Sequence, residues 1–213
     1  MTVISSDLVR QLREVTGAGI MDCKRALQEA DGDLERAREV LRHKGLAQAK
    51  KLAGRSAGQG LVDAYIHAGG QLGVLIEVNC ETDFVARTDQ FASLVHDLAI
   101  QVAVRNPTYV SRQAVAADFL ENEQRIERER ALAEGRPAAV VDKIVAGKLD
   151  KLLSELCLYE QEYVRDEGPR PRRVEELIQE AAAQLGEKIE VARFSRFKVG
   201  ERQAEAAGEE ESA

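Results

Sequence analysis

The sequence predicts an α+β protein, with an N-terminal three-helix bundle followed by a core of a small antiparallel sheet packed with helices. Three observations carry this. Apolar residues recur at helical spacing in three short segments divided by glycines over the first 45 residues. Two strand-like runs flank adjacent glycines between Leu61 and Cys80. The remainder is helical in period until an alternating run, Ile189 to Val199, near the end.

In the first helix Ile4, Leu8, Leu12 and Val15 share a face, and Ser5 or Ser6 stands where a cap is needed. Thr16-Gly17-Ala18-Gly19 breaks it, because two glycines admit positive φ. The second helix carries Met21, Ala26, Leu27 and Ala30 and ends at Asp31-Gly32. Asp33 caps a third, with Leu34, Ala37 and Leu41, expected to stop near Gly45. The bundle therefore takes residues 1–46. Ile20 and Met21, just after the glycines, either pack inside or present apolar side chains to a partner.

Residues 47–60 are basic and small and read as a helical connector loosening into a linker. The core domain, 61–200, starts with a hairpin turning at Ala68-Gly69-Gly70-Gln71. Val74-Leu75-Ile76-Glu77-Val78 suits a buried strand, and Asn79 to Arg87 then forms a strand-to-helix corner. Thr82 or Asp83 can cap the incoming helix, which leaves Phe84 in its first turn. Two readings of Phe84 stay open here: a staple holding the helix end to the core, or a probe that enters another protein. Phe91, Leu94, Val95, Leu98, Ala99 and Val102 mark the following helix, which ends at Asn106-Pro107.

Residues 118–135 alternate acid and base, the pattern of a solvated helix. After Pro137 a long apolar-faced helix runs from Val140 to Leu156. Gly168-Pro169-Arg170-Pro171 is a loop; Val174, Leu177, Ile178, Ala181 and Leu185 define a last helix before the final strand. That strand either completes the sheet or pairs at its edge with another subunit. Residues 201–213 read as a disordered acidic tail.

At 44% hydrophobic and 31% charged residues the chain has the composition of a globular protein, and no apolar run approaches membrane-spanning length. No signal peptide opens it, so the expected address is cytoplasmic. The net charge is −7, much of it in the tail, and no basic stripe suggests nucleic acid. No Walker spacing is present, so the chain is expected to bind no nucleotide by itself. Cys23, Cys80 and Cys157 are widely spaced and imply neither a disulfide framework nor a zinc site. A thiol enzyme built on Cys80 with His43, His67 or His96, oriented by Glu81 or Asp83, has no local signature behind it.

The block from Leu8 to Leu27, with Thr16-Gly17-Ala18-Gly19-Ile20-Met21 at its centre, and the block Glu77 to Arg87, containing Thr82-Asp83-Phe84-Val85, resemble the two signature regions of the bacterial elongation factor Ts family. The resemblance runs over residues 1 to about 200. It implies a guanine-nucleotide exchange factor for elongation factor Tu, acting by protein–protein contact rather than by bond-making chemistry. The three-helix bundle would be the family's ubiquitin-associated-like module, docking on the GTPase domain through Arg13, Ile20 and Met21. Thr82, Asp83, Phe84 and Val85 would intrude near its Mg²⁺ and phosphate site, Phe84 wedging between two helices. The factor itself would carry no cofactor, GDP, GTP and Mg²⁺ being held by the partner.

Many members open the second helix with two methionines where this chain has Ile20-Met21, a volume-conserving change. Longer members carry a duplicated core and an inserted coiled coil, and 213 residues are expected to leave room for neither. The chain is thus similar to the short form, for which the resemblance implies a homodimer. A reading of another class is a non-catalytic assembly scaffold built on the same bundle and core.

Overall fold

The computed structural model describes residues 4–167 and 170–201; the expectation for the acidic tail lies outside them except at Glu201. Helix α1, Ser6–Thr16, begins where the Ser5 hydroxyl accepts the Leu8 N–H (3.2 Å), and ends at Gly17, whose φ of 64° lets its N–H reach the Arg13 carbonyl. Only Gly17 of the pair uses positive φ. Gly19 is extended and caps α2, Ile20–Glu29, without a side chain.

Leu12, Cys23, Ala26, Leu27, Ala30 and Ala37 form the centre of the bundle. So many alanines leave a narrow core, and Val15, expected inside, lies 65% exposed on the rim.

Helix α3 departs from expectation. Capped by Asp33, it spans Leu34–Leu52 and passes straight through Gly45. A Cβ at Gly45 would stand 3.5 Å from the Ala183 methyl, so this glycine brings α3 close against helix α8, Val174–Leu185, rather than stopping it. Leu52, at the far end of α3, is buried in the main core. Bundle and core therefore share one helix.

Strands β1, Gln59–Ile66, and β2, Leu72–Cys80, form the expected hairpin, with positive φ at Gly69 and Gly70 in its turn. β3, Glu190–Lys198, runs antiparallel along the other side of β2, with an irregularity at Glu77/Val78. The order is β1-β2-β3, so β3 joins the sheet as an edge strand, and among the described residues no strand pairs beyond it.

Val74, Ile76, Val78 and Cys80 alternate onto the inner face, against Phe91, Leu94, Val95, Leu98, Ala99 and Val102 of α5 (Asp89–Arg105) and Val174 and Ile178 of α8. The single turn α4, Asp83–Ala86, lies between β2 and α5. Asn106, at φ 48°, ends α5 just before Pro107.

Two glutamines sit within this apolar interior. The Gln101 amide donates to Gln161 Oε1 (3.2 Å) and the Glu162 carbonyl (3.1 Å), and its oxygen accepts the Val164 N–H at 2.9 Å. They fasten the segment Gln161 to Val164 to α5 with every strong partner supplied internally.

Helices α6, Ala117–Ala133, and α7, Ala138–Leu156, form an antiparallel pair. The solvated helix and the apolar-faced helix read from the sequence are thus the two halves of one helical arm. Ala131, Val141 and Val145 give it a core of its own, and Arg128–Asp142 (2.5 Å) and Lys148–Glu127 (2.6 Å) tie its helices together. The alternating charges of α6 are what a helix solvated on all but one side requires.

Candidate partner-binding surface

The corner between β2 and α4 is fixed from beneath. Cys80 is fully buried, and its thiol donates to the Thr82 carbonyl at 3.2 Å. The Thr82 hydroxyl caps α4 by accepting the Val85 N–H (3.3 Å). That hydroxyl also donates to Glu187 Oε1 at 2.6 Å, while Glu187 Oε2 accepts the N–H groups of Glu81 (3.1 Å) and Thr82 (3.0 Å). In return the Glu81 carboxylate accepts the Lys188 N–H at 2.7 Å and lies 3.4 Å from Arg55.

Against this fixed base the four residues of the predicted probe divide. Thr82 points inward and Val85 packs on the edge of the main core. Asp83 is part-exposed and paired with Arg87 at 3.0 Å. Phe84 is 81% exposed. It staples nothing.

The second predicted patch also faces solvent. Ile20 is 54% and Met21 62% exposed, and Arg13 and Val15 near the end of α1 are exposed too. Their inward alternative does not occur, because Cys23, Ala26 and Leu27 occupy the inward face of α2. A bridge joins the two regions. Gln184 of α8 donates to the Thr16 carbonyl at the end of α1 and accepts from Gln90 in the first turn of α5.

The thiol-enzyme arrangement is not assembled. Burial pushes the Cys80 thiol up from its ordinary value, which suppresses the nucleophilic thiolate. His96 pairs with Asp63 (2.9 Å) and His67 with the Tyr65 hydroxyl (2.9 Å). Among the described residues no group of three or more His, Cys, Asp or Glu is arranged to hold a metal ion. Nor is any described helix long and apolar enough to cross a membrane.

The family model for elongation factor Ts matches residues 45–201, which include the corner, its Glu187 support and the whole sheet. The chain belongs to the elongation factor Ts family. It is 54% identical over 199 residues to elongation factor Ts of Caldanaerobacter subterraneus subsp. tengcongensis, covering 93% of this chain and 98% of that protein. Elongation factor Ts of Moorella thermoacetica is 56% identical, with 93% and 97% covered, and that of Thermotoga maritima 52% identical with the same coverage.

Within the elongation factor Ts assignment, sequence reasoning missed Glu187, Gln184 and Gln101. Glu187 lies 105 residues from Thr82, in a short polar loop with no local pattern. Gln101, a polar residue at a core-facing position of an amphipathic helix, was the one visible signal.

Proposed function

We propose that the chain accelerates release of GDP from elongation factor Tu, and so allows reloading with GTP, by docking through Arg13, Ile20 and Met21 and inserting the Asp83-Phe84 corner near the partner's Mg²⁺ and phosphate site. The observation that carries this is Phe84: a large apolar ring 81% exposed on a turn whose backbone is hydrogen-bonded from beneath. Exposure of this kind marks an anchor for another protein when the supporting backbone is fixed.

An exchange factor has to favour the nucleotide-free partner, and by linkage nucleotide loosens the factor equally. Weakening nucleotide ~10⁴-fold takes about 5.5 kcal/mol of coupling. Burying one phenylalanine contributes ~1.5–3 kcal/mol, so other contacts must share the work. On this reading the bundle patch anchors, Phe84 displaces partner helices, and Asp83 disturbs the bonding that orders the phosphate loop. GDP, GTP and Mg²⁺ stay with the partner, and the chain works in the cytoplasm without making or breaking a bond.

The same reading includes a homodimer. Val62, Ile66, Leu75 and Phe197 are exposed on the outer sheet face, and Ile66, Leu75 and Phe197 line a shallow cavity of about 360 Å³ there. A contiguous apolar face of this kind on a sheet suits a second copy of itself.

The test is the release rate of a fluorescent GDP analogue from elongation factor Tu, with substoichiometric wild type and Phe84→Ala side by side. Acceleration by wild type and its loss in the variant are expected. Full acceleration by Phe84→Ala would move the mechanism to other contacts, and none by wild type would favour the assembly scaffold.

A further inference from the structure

We propose that Glu187 is a positioning residue for exchange, holding the corner so that Phe84 meets the partner in one orientation; this rests on the corner being the intruding element. Helix α4 has only four residues, too few to hold a direction by its own hydrogen bonds. An aromatic ring that is to move another protein's helices must sit on backbone that yields less than they do.

Glu187 supplies that resistance from the loop between α8 and β3. Its two oxygens take three donors from consecutive residues: the Glu81 N–H, the Thr82 N–H and the Thr82 hydroxyl, at 3.1, 3.0 and 2.6 Å. The hydroxyl accepts the Val85 N–H at 3.3 Å, so the chain of bonds passes from Glu187 through Thr82 into the first turn of α4. Donation to a carboxylate makes that hydroxyl a better acceptor. Glu81 returns the bond to the Lys188 N–H at 2.7 Å, closing a reciprocal clasp between segments more than a hundred residues apart. The loop is itself held, with Gly186 at φ 74° ending α8 and Ile189 buried behind it.

The clasp works by geometry, and glutamine can reproduce it. The amide oxygen of Glu187→Gln accepts both backbone N–H groups, and its NH₂ donates to the Thr82 hydroxyl. Alanine reproduces none of it.

The test measures GDP release from elongation factor Tu as a function of factor concentration for wild type, Glu187→Ala, Glu187→Gln and Phe84→Ala, together with hydrogen exchange of the Glu81 and Thr82 amides in the free factor. Glu187→Ala should lower the maximal rate about tenfold with the half-saturating concentration changed less than about threefold. Its two amides should exchange faster, and Glu187→Gln should restore both readouts. If Glu187→Ala does not fold, Thr82→Ala, which removes the hydroxyl's bond to Glu187 together with the cap on the Val85 N–H, takes its place with the same expected pattern of rates.

Glu187→Ala at the full maximal rate while Phe84→Ala is slow would overturn the positioning role and leave the exchange reading intact. Glu187→Gln as slow as Glu187→Ala would overturn it too, since charge rather than bonding would then matter. Full speed in Phe84→Ala would instead remove the intruding-corner reading on which the role depends.

Discussion

Cys80 and Phe84 stand at opposite ends of one turn: the thiol has no solvent exposure and donates to the Thr82 carbonyl, while the ring four residues later is 81% exposed. The side chain proposed to meet the partner therefore contributes little to the fold beneath it. Phe84→Ala should leave the unfolding free energy measured in urea within about 0.5 kcal/mol of wild type while slowing exchange. A larger stability loss would mean that the ring packs on its own protein.

Docking and exchange should separate between the two patches. Arg13→Ala, and Ile20→Ala with Met21→Ala, remove exposed side chains of the bundle, so they should weaken binding to elongation factor Tu about tenfold or more while saturating factor still drives exchange. Phe84→Ala should do the reverse. Titration calorimetry beside stopped-flow release distinguishes the cases, and equal losses in both assays for every variant would contradict the division.

Stability should fall in alkali. Burial raises the thiols of Cys23, Cys80 and Cys157, and pushes the Tyr159 hydroxyl up to about 12. Each group gives up its proton first in the unfolded chain, so the stability it lends is complete below its unfolded value and lost as pH rises through the folded one. The thiols act from about pH 8.5 upward; Tyr159 acts from about pH 10 to 12, at about 3 kcal/mol. Urea midpoints at pH 7, 9 and 10.5 should decline in that order, and a constant midpoint would refute the linkage.

The buried amide pair makes a separate prediction. Gln101→Leu keeps the volume but strands Gln161 Oε1 and the Val164 N–H, and should cost about 2–4 kcal/mol. A denaturation curve checks it. A neutral result would mean that water replaces the lost partners.

What could be read from sequence was whatever local pattern decides. The alternation of β2, the apolar stripe of α5 and the cap at Asp33 stand as read, and of the paired candidates Ser5/Ser6 and Thr82/Asp83 the caps are Ser5 and Thr82, since each depends on residues within a turn or a strand. Phe84 could be placed at the corner but not assigned a direction, because staple and probe share one spacing. Gly45 was misread because its reason, the close approach of Ala183, lies 138 residues on. Val15 was placed inside by period alone, although the alanine-rich bundle is too narrow to bury it. Glu187 was invisible for the same reason as Gly45: a contact across the fold leaves no mark on its neighbours in the chain.

The unbroken run of α3 has a consequence for binding. A helix of 19 residues is about 28 Å long, and this one starts in the bundle and ends in the main core, with α8 along its flank. Under the proposed docking, the Ile20-Met21 patch and Phe84 would be two heads of a bivalent ligand on a stiff spacer. Once either head is seated, the other is already at high effective concentration over its own site, and no entropy of linker ordering is lost in bringing it there. Two contacts of modest size can therefore act together on one partner, and lengthening or loosening the helix between them would weaken both without altering either.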